Sequence, residues 1–275
     1  MTTKTYVPAT PIWCAGCGHF GVQTALQIAL SNAGISSHET LILAGIGCSG
    51  SIQNNLGTYG YHAMHGRVLP TATGAALANP DLCVIAAGGD GDGYAIGAGH
   101  LVHTFRRNLP MVYILMNNQT YGLTKGQHSP TRDHPYPTHE EQPLDGIMLG
   151  LSIPGTTFLA RGYTGDFPQL VELATAAIEW AQQRKGFAFL EVISPCVTYY
   201  DTYPQWDQLT ENIDGNPNHD PTDRAKALTI TQELTASGRV PLGQILQIQE
   251  TYSPVREPTD DPSEVLARAA QKFAV

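Results

Sequence analysis

Gly88–Gly122 reads GGDGDGYAIGAGHLVHTFRRNLPMVYILMNNQTYG, and the fold class follows from it. Just upstream, LCVIAAGG (Leu82–Gly89) is a short unbroken apolar run closed by glycines, the pattern of a strand covered on both faces. Ala95–Arg107 has helical length, with Ile96, His100, His103 and Arg107 on one face. Pro110 then marks the start of a second apolar run, Met111–Asn118. Strand, helix and strand in this order form a unit with a polar loop at each strand's carboxyl end. In open α/β sheets that edge is where ligands bind.

Both loops open on an oxygen ligand. Asp90 closes the first strand among glycines that let backbone amides approach an anion, and Asn118 closes the second. Hard oxygen donors at the ends of neighbouring strands, beside a helix N-terminus, suit Mg²⁺ carrying a diphosphate. Either half alone reads equally well as a turn or a strand end; framed by strand–helix–strand, the two together indicate a cofactor site.

Working outward, WCAGCGHFG (Trp13–Gly21) opens onto a helix with Val22, Ala25, Leu26, Ala29, Leu30 and Ala33 on its apolar face. LILAGIG (Leu41–Gly47) is a buried strand that runs into Cys48-Ser49-Gly50, and Ser51–Gly66 reads as a loop. Leu69–Ala78 is a small-residue helix. Leu123–Gln142 is a long loop carrying His128, His134 and His139, and Thr156–Arg161 reads as a strand. Asp166 caps a helix bearing Leu170, Leu173, Ala174, Ala177, Ile178 and Ala181; FAFLEVI (Phe187–Ile193) is the last strong strand. From Val197 the chain is polar, with one helix around Thr222–Ser237 and with Trp206 as an anchor, most simply to a partner chain. Residues 1–200 read as one domain and 201–275 as a tail that packs on it or on a partner subunit.

A chain of 275 residues can bury one sizeable core, and no apolar run approaches the ~20 residues that span a bilayer. The N-terminus lacks the charged-then-apolar layout of a leader, so the expected location is cytoplasmic. A formal charge of −9 argues against nucleic acid as a partner.

Cys14 and Cys17 form a C-x-x-C knuckle, and Cys17 lies just before a helix N-terminus, which favours its thiolate. Cys48 and Cys196 each follow a strand end; in a parallel sheet those ends share an edge with Asp90 and Asn118. Cys83, inside a strand, reads as a core residue. A structural zinc site usually brings two knuckles, and a thioredoxin-like pair needs neither Cys48 nor Cys196. Four thiolates around a [4Fe–4S] cluster fit the count and the positions, but spacing alone leaves all three readings open.

Gly89-Asp90-Gly91 with Asn117-Asn118 resembles the signature of thiamine diphosphate enzymes. More broadly, WCAGCGHFG, GIGCSG, HGRVLPTATG, GGDGDGYAIG and NNQTYGLTKGQHSPT, in order from Trp13 to Thr131, with Pro195-Cys196, resemble the β subunit of 2-oxoacid:ferredoxin oxidoreductases. That resemblance implies an α/β thiamine diphosphate-binding fold, a mostly parallel sheet with helices on both faces. It implies thiamine diphosphate, Mg²⁺ and a [4Fe–4S] cluster, and oxidative decarboxylation of a 2-oxoacid with coenzyme A to acyl-CoA and CO₂, electrons leaving through the cluster to ferredoxin. Cys14, Cys17, Cys48 and Cys196 would hold the cluster; Asp90, Asn118 and the Thr120 carbonyl would hold Mg²⁺. Ile46, Gly47, Cys48, Ser49, His65, Gly89, Asp90, Gly91, Asp92, Asn118, Thr120, Tyr121, Gly122, Leu123 and Thr124 would surround the cofactor.

His65 and Arg67 would be catalytic, and Arg67 and Lys125 would meet the substrate carboxylate. TYGYHAMHGR and the compact length look more like the 2-oxoglutarate branch than the pyruvate branch. No glutamate stands where it would activate the aminopyrimidine ring: Glu191 lies in a strand and Glu140-Glu141 in a loop. An obligate α subunit in an (αβ)₂ assembly is therefore implied. The alternatives are a thiamine-dependent decarboxylase or synthase without a cluster, and a zinc-stabilised scaffold subunit.

Overall fold

The computed structural model describes residues 9–132 and 142–249, together with residues 263, 267, 268, 270 and 271. In chain order the strands are β1 (Thr40–Ala44), β2 (Tyr59–His62), β3 (Cys83–Gly89), β4 (Met111–Asn117), β5 (Thr120–Tyr121), β6 (Gln127–His128), β7 (Phe158–Tyr163), β8 (Phe187–Ile193), β9 (Thr210–Asn212) and β10 (Val240–Gln247). The α-helices are α1 (His19–Asn32), α2 (Ile52–Asn55), α3 (Val68–Ala78), α4 (Ala98–Arg107), α5 (Gly146–Leu151), α6 (Phe167–Gln182), α7 (Tyr203–Leu209) and α8 (Arg224–Ala236).

Eight strands form one sheet in the order β2-β1-β3-β4-β8-β7-β10-β9, and β5 and β6 make a separate hairpin. Every pairing in the large sheet is parallel except that of β10 with β7. Strands β7 and β8 are buried along their whole length, and β3 and β4 along all but their last residue. Strands covered on both faces need continuous apolar runs, which is why these were legible without alternation.

Helices cover both faces. On one, Val22, Leu26 and Leu30 of α1 and Leu170, Leu173 and Ile178 of α6 pack on Ile42, Ile85, Ile114 and Leu190. On the other, Leu69 of α3, Leu101 and Phe105 of α4, Ile147 of α5 and Ile230 of α8 pack on Leu43, Val84, Tyr113 and Phe189. Asp166 caps α6 by accepting from the Gln169 amide. Cys83 sits in the core as expected, its thiol pushed up to about 12 by burial.

Three expectations need correction. The helix after β3 begins earlier than Ala95, as a widened π turn over Gly91–Ile96 that runs into α4. Side chains at Gly91 and Gly93 would run into the Tyr121 and Tyr113 rings, so only glycine lets this turn lie so close to the sheet. Ser51–Gly66 is not loop throughout: it holds α2 and the edge strand β2, whose Tyr59 and Tyr61 suit a pleated surface. After Val197 the chain rejoins the sheet, because Leu242, Ile245 and Leu246 form a short apolar run within polar surroundings.

Trp206 anchors this last stretch to its own chain, not to a partner, by packing with Tyr163, Ile193 and Leu242. His134, His139, Glu140 and Glu141 lie outside the described residues. Among the described residues, no helix is long and apolar enough to cross a membrane.

Candidate active site

Strands β1, β3, β4 and β8 are consecutive and parallel in the sheet, so their carboxyl ends share one edge. Just past those ends stand Cys48, Asp90, Asn118 and Cys196. Every residue from Ile46 to Thr124 that the resemblance places around the cofactor lines one cavity of about 240 Å³ there, and His19 joins them.

Asp90 is buried, and its Oδ2 accepts from the Ser129 hydroxyl at 2.5 Å and the Thr131 hydroxyl at 2.6 Å. Burial raises its carboxyl to about 6 despite those hydroxyls, so the carboxylate lacks a compensating positive charge. Asn118 Oδ1 accepts from the Thr120 amide at 3.1 Å, which folds the Asn118–Thr120 turn on itself. One carboxylate, one side-chain amide and one nearby carbonyl, all oxygen donors, fit Mg²⁺, which keeps waters and phosphate oxygens in its remaining positions.

Asp92 serves a different purpose. Its Oδ1 accepts from the Ile46 amide at 3.0 Å and the Gly66 amide at 2.8 Å, and it meets His65 Nδ1 at 2.8 Å. It thereby ties the β1 loop and the His65 loop to the π turn, with His65 in the cavity wall. Gly45 is required beside it: a Cβ there would overlap the Asp92 carboxylate.

Arg67 and Lys125 do not line the cavity. Arg67 Nη1 donates to the Gly66 and Ile96 carbonyls, and Lys125 is exposed with φ +76°. Glu191 is engaged elsewhere, taking Arg161 Nε at 2.7 Å on one oxygen and Tyr94 and Asn117 at 3.0 Å on the other. Arg161 also reaches Asp145 at 2.7 Å, forming a buried charged group behind the site.

The cysteine segments are bound to one another. Cys17 N donates to the Cys14 carbonyl and Gly18 N to the Pro195 carbonyl, while Trp13 Nε1 donates to the Cys48 carbonyl at 2.7 Å. A Cβ on Gly18 would collide with Ser194, so this knuckle seats directly on the turn that carries Cys196. A Cβ on Gly122 would lie 3.5 Å from Cys48 Sγ and 3.6 Å from Cys196 Sγ, so both thiols face one small space beside Asn118.

Cys17 senses the charges of Cys196, Cys48 and Cys14. Its thiolate is not favoured, contrary to expectation: burial pushes the thiol up to about 11 and outweighs the hydrogen bond from the His19 amide. Among the described residues, no three His, Cys, Asp or Glu side chains converge tightly enough to hold a metal ion by themselves.

Three residues of the site carried no assignment from sequence. Ser129 and Thr131 lay inside the matched stretch ending in HSPT, and His19 directly follows Cys17-Gly18, but hydroxyls and a helix-first histidine have no distinctive spacing.

The chain is also similar to known proteins in sequence and in fold. Residues 45–192 match the family described as thiamine pyrophosphate enzyme, C-terminal TPP binding domain. The 2-oxoacid:ferredoxin oxidoreductase subunit beta of Sulfolobus sp is 40% identical over 88% of this chain and 83% of its own length. The 2-oxoglutarate synthase subunit KorB of Archaeoglobus fulgidus is 38% identical over 70% of this chain and 72% of its own. Among solved structures, the 2-oxoglutarate:ferredoxin oxidoreductase from Magnetococcus marinus, with 2-oxoglutarate, coenzyme A and succinyl-CoA bound, superposes with a TM-score of 0.83 at 34% identity. It covers 99% of this chain and 91% of its own. The protein is thus an enzyme subunit with a thiamine diphosphate-binding fold, and it belongs to the β subunits of the 2-oxoacid:ferredoxin oxidoreductases.

Proposed function

We propose that this subunit holds the diphosphate of thiamine diphosphate through Mg²⁺ on Asp90, Asn118 and the Thr120 carbonyl, and a [4Fe–4S] cluster on Cys14, Cys17, Cys48 and Cys196. With an α subunit it oxidises 2-oxoglutarate and coenzyme A to succinyl-CoA and CO₂, electrons leaving through the cluster to ferredoxin. The observation that carries this reading is the shared edge: four adjacent parallel strands, β1, β3, β4 and β8, deliver Cys48, Asp90, Asn118 and Cys196 in turn. The groups present fit both cofactors. Asp90 is a buried carboxylate bound only by hydroxyls and backbone groups, and glycine at 122 leaves open the space between two thiols.

When bound, thiamine diphosphate supplies the nucleophilic carbon and electron sink for decarboxylation, and the cluster a one-electron acceptor. The protein's own residues bind, orient and exclude. Asp90 and Asn118 fix the metal and hence the diphosphate; the Ser129 and Thr131 hydroxyls hold the Asp90 carboxylate in place. Asp92 fixes the His65 ring by Nδ1, so that Nε2 can hold or move a proton within the cavity. Lys125, next to the cavity-lining Thr124, is this chain's candidate for the distal substrate carboxylate, whereas Arg67 is committed to backbone carbonyls.

The α subunit completes the site. No glutamate lines the cavity among the described residues, so the group that activates the aminopyrimidine comes from the partner. Ile46 and Leu123 at the cavity, and Met64 next to His65, are exposed apolar side chains that a partner would cover. The 2-oxoglutarate preference is supported by what the Magnetococcus marinus enzyme binds. We assign an (αβ)₂ assembly and a cytoplasmic location, where Cys14, Cys17, Cys48 and Cys196 stay reduced until the cluster binds.

The test is anaerobic co-purification of α and β followed by iron and sulfide analysis and a panel of 2-oxoacids with coenzyme A and a low-potential acceptor. A brown protein bleached by dithionite, with fastest turnover on 2-oxoglutarate and none by the β chain alone, is expected. Zinc in place of iron, or full turnover by β alone, would overturn the reading.

A further inference from the structure

His19 is the one residue of the cavity wall outside the set that the family resemblance supplies, and its surroundings dictate what it can do there. The side chain is 1% exposed and its ring meets Trp13 edge-on at 5.5 Å, so it does not swing. Its Nδ1 stands 2.7 Å from the Ser194 hydroxyl oxygen. Ser194 is fully buried, and among the described residues that hydroxyl has no other side-chain or backbone partner.

Proton accounting then selects the tautomer. If the ring donated from Nδ1, the Ser194 proton would be left buried with no acceptor, which is costly. Ser194 therefore donates to Nδ1, and the ring proton resides on Nε2. Among the described residues Nε2 has no hydrogen-bond partner, and it is not among the polar atoms sealed from solvent. The small area that His19 leaves accessible thus includes an N–H at the wall shared with Gly47, Asp90 and Asn118.

We propose that His19 is a cofactor-binding residue whose Nε2–H donates to a diphosphate oxygen, and that Ser194 is the positioning residue that keeps the proton on Nε2. This rests on the thiamine diphosphate reading above and assigns it a further contact. A fixed N–H donor suits the place: in a wall shared with Asp90 and Asn118 it adds a hydrogen bond to an anionic oxygen. The same residue serves the thiols by its backbone, since the His19 amide bonds to Cys17, so one rigid residue adjoins both cofactor positions.

The experiment uses the assembled αβ enzyme, stripped of Mg²⁺ and thiamine diphosphate by chelation. Affinities for thiamine diphosphate with Mg²⁺, and for inorganic diphosphate as its competitor, are measured by calorimetry, and iron content is measured alongside. H19F keeps the ring shape and removes the donor; affinity for both ligands is expected to fall about 10- to 100-fold with iron unchanged. H19Q, whose side-chain amide places an N–H near the Nε2 position, should restore most of it. S194A keeps the ring but frees the tautomer, and a three- to fivefold weakening is expected; it carries the test if H19F does not assemble. Wild-type affinity for inorganic diphosphate in H19F or S194A, or a loss in H19F that H19Q does not restore, overturns the proposal. Failure of the wild-type enzyme to bind thiamine diphosphate would instead overturn the cofactor reading itself.

Discussion

Asp92 Oδ1 lies 2.8 Å from His65 Nδ1, and the same oxygen accepts the Ile46 and Gly66 amides. One buried atom thus holds together the loop after β1, the His65 loop and the π turn after β3. Asp90, two residues earlier, lines the cavity instead, its Oδ2 held by the Ser129 and Thr131 hydroxyls. The two aspartates in GDGD thus take different partners, and the proposed function assigns only the first to the metal.

Asp92→Ala should remove both effects. Two backbone amides and a ring nitrogen lose their acceptor, at about 1–3 kcal/mol for each group left buried, so a stability loss of about 3 kcal/mol or more is expected. Turnover should fall on the order of 100-fold because His65 is no longer aimed. Urea unfolding and steady-state assays of the αβ enzyme measure the two; normal turnover with lowered stability would show that His65 needs no anchor.

Gly122→Ala separates fold from cofactor loading. The added Cβ would sit at 3.5–3.9 Å from Cys48 Sγ, Cys196 Sγ and the Asn118 amide, ordinary contact distances, so the metal-free chain should unfold as the wild type does. The methyl would fill the space between the two thiols, and cluster content should drop severalfold. Iron per mole, read from the anaerobic preparation, decides; a full complement of iron would place the cluster elsewhere.

Cysteine substitution should divide the five thiols four to one. Cys14, Cys17, Cys48 and Cys196 changed singly to Ser should each lose the visible absorbance that dithionite bleaches, whereas Cys83→Ala should keep it. Cys83 has its own signature. Its thiol is raised from 9.0 to about 12 by burial, so unfolded chain ionises first as pH rises. The stability it contributes is complete below pH 9 and is lost progressively toward pH 12, on the order of 4 kcal/mol in all. Cys83→Ala should therefore flatten the alkaline limb of a stability–pH curve. Identical limbs would mean that Cys83 opens to solvent before unfolding.

Arg161→Met should be among the most destabilising changes away from the cofactor. It strands Glu191 and Asp145, both held at 2.7 Å, and removing one partner of a buried ion pair costs about 3–5 kcal/mol. The double change Arg161→Met with Glu191→Gln should recover part of the loss. Thermal unfolding of the single and double variants checks the coupling.

The amino-acid sequence was enough to determine the strands that run through the protein's centre and the edge at which they place chemistry. Unbroken apolar runs such as LCVIAAGG and FAFLEVI can be satisfied only by strands covered on both faces, and parallel strands put Cys48, Asp90, Asn118 and Cys196 on the same side. What sequence could not convey was anything decided by contact between distant segments. Trp206 looked like an anchor to another chain because its partners, Tyr163, Ile193 and Leu242, come from three other stretches. Arg67 sits in a promising motif, yet the Ile96 carbonyl claims it. Residues 240–247 read as tail because a strand closing an edge needs only a few apolar positions, and these matter only once β7 lies beside them. His19 Nδ1 meets a hydroxyl 175 residues away, which no local spacing encodes. Periodicity records what each segment buries; the tertiary fold alone decides which polar atoms are left to meet one another.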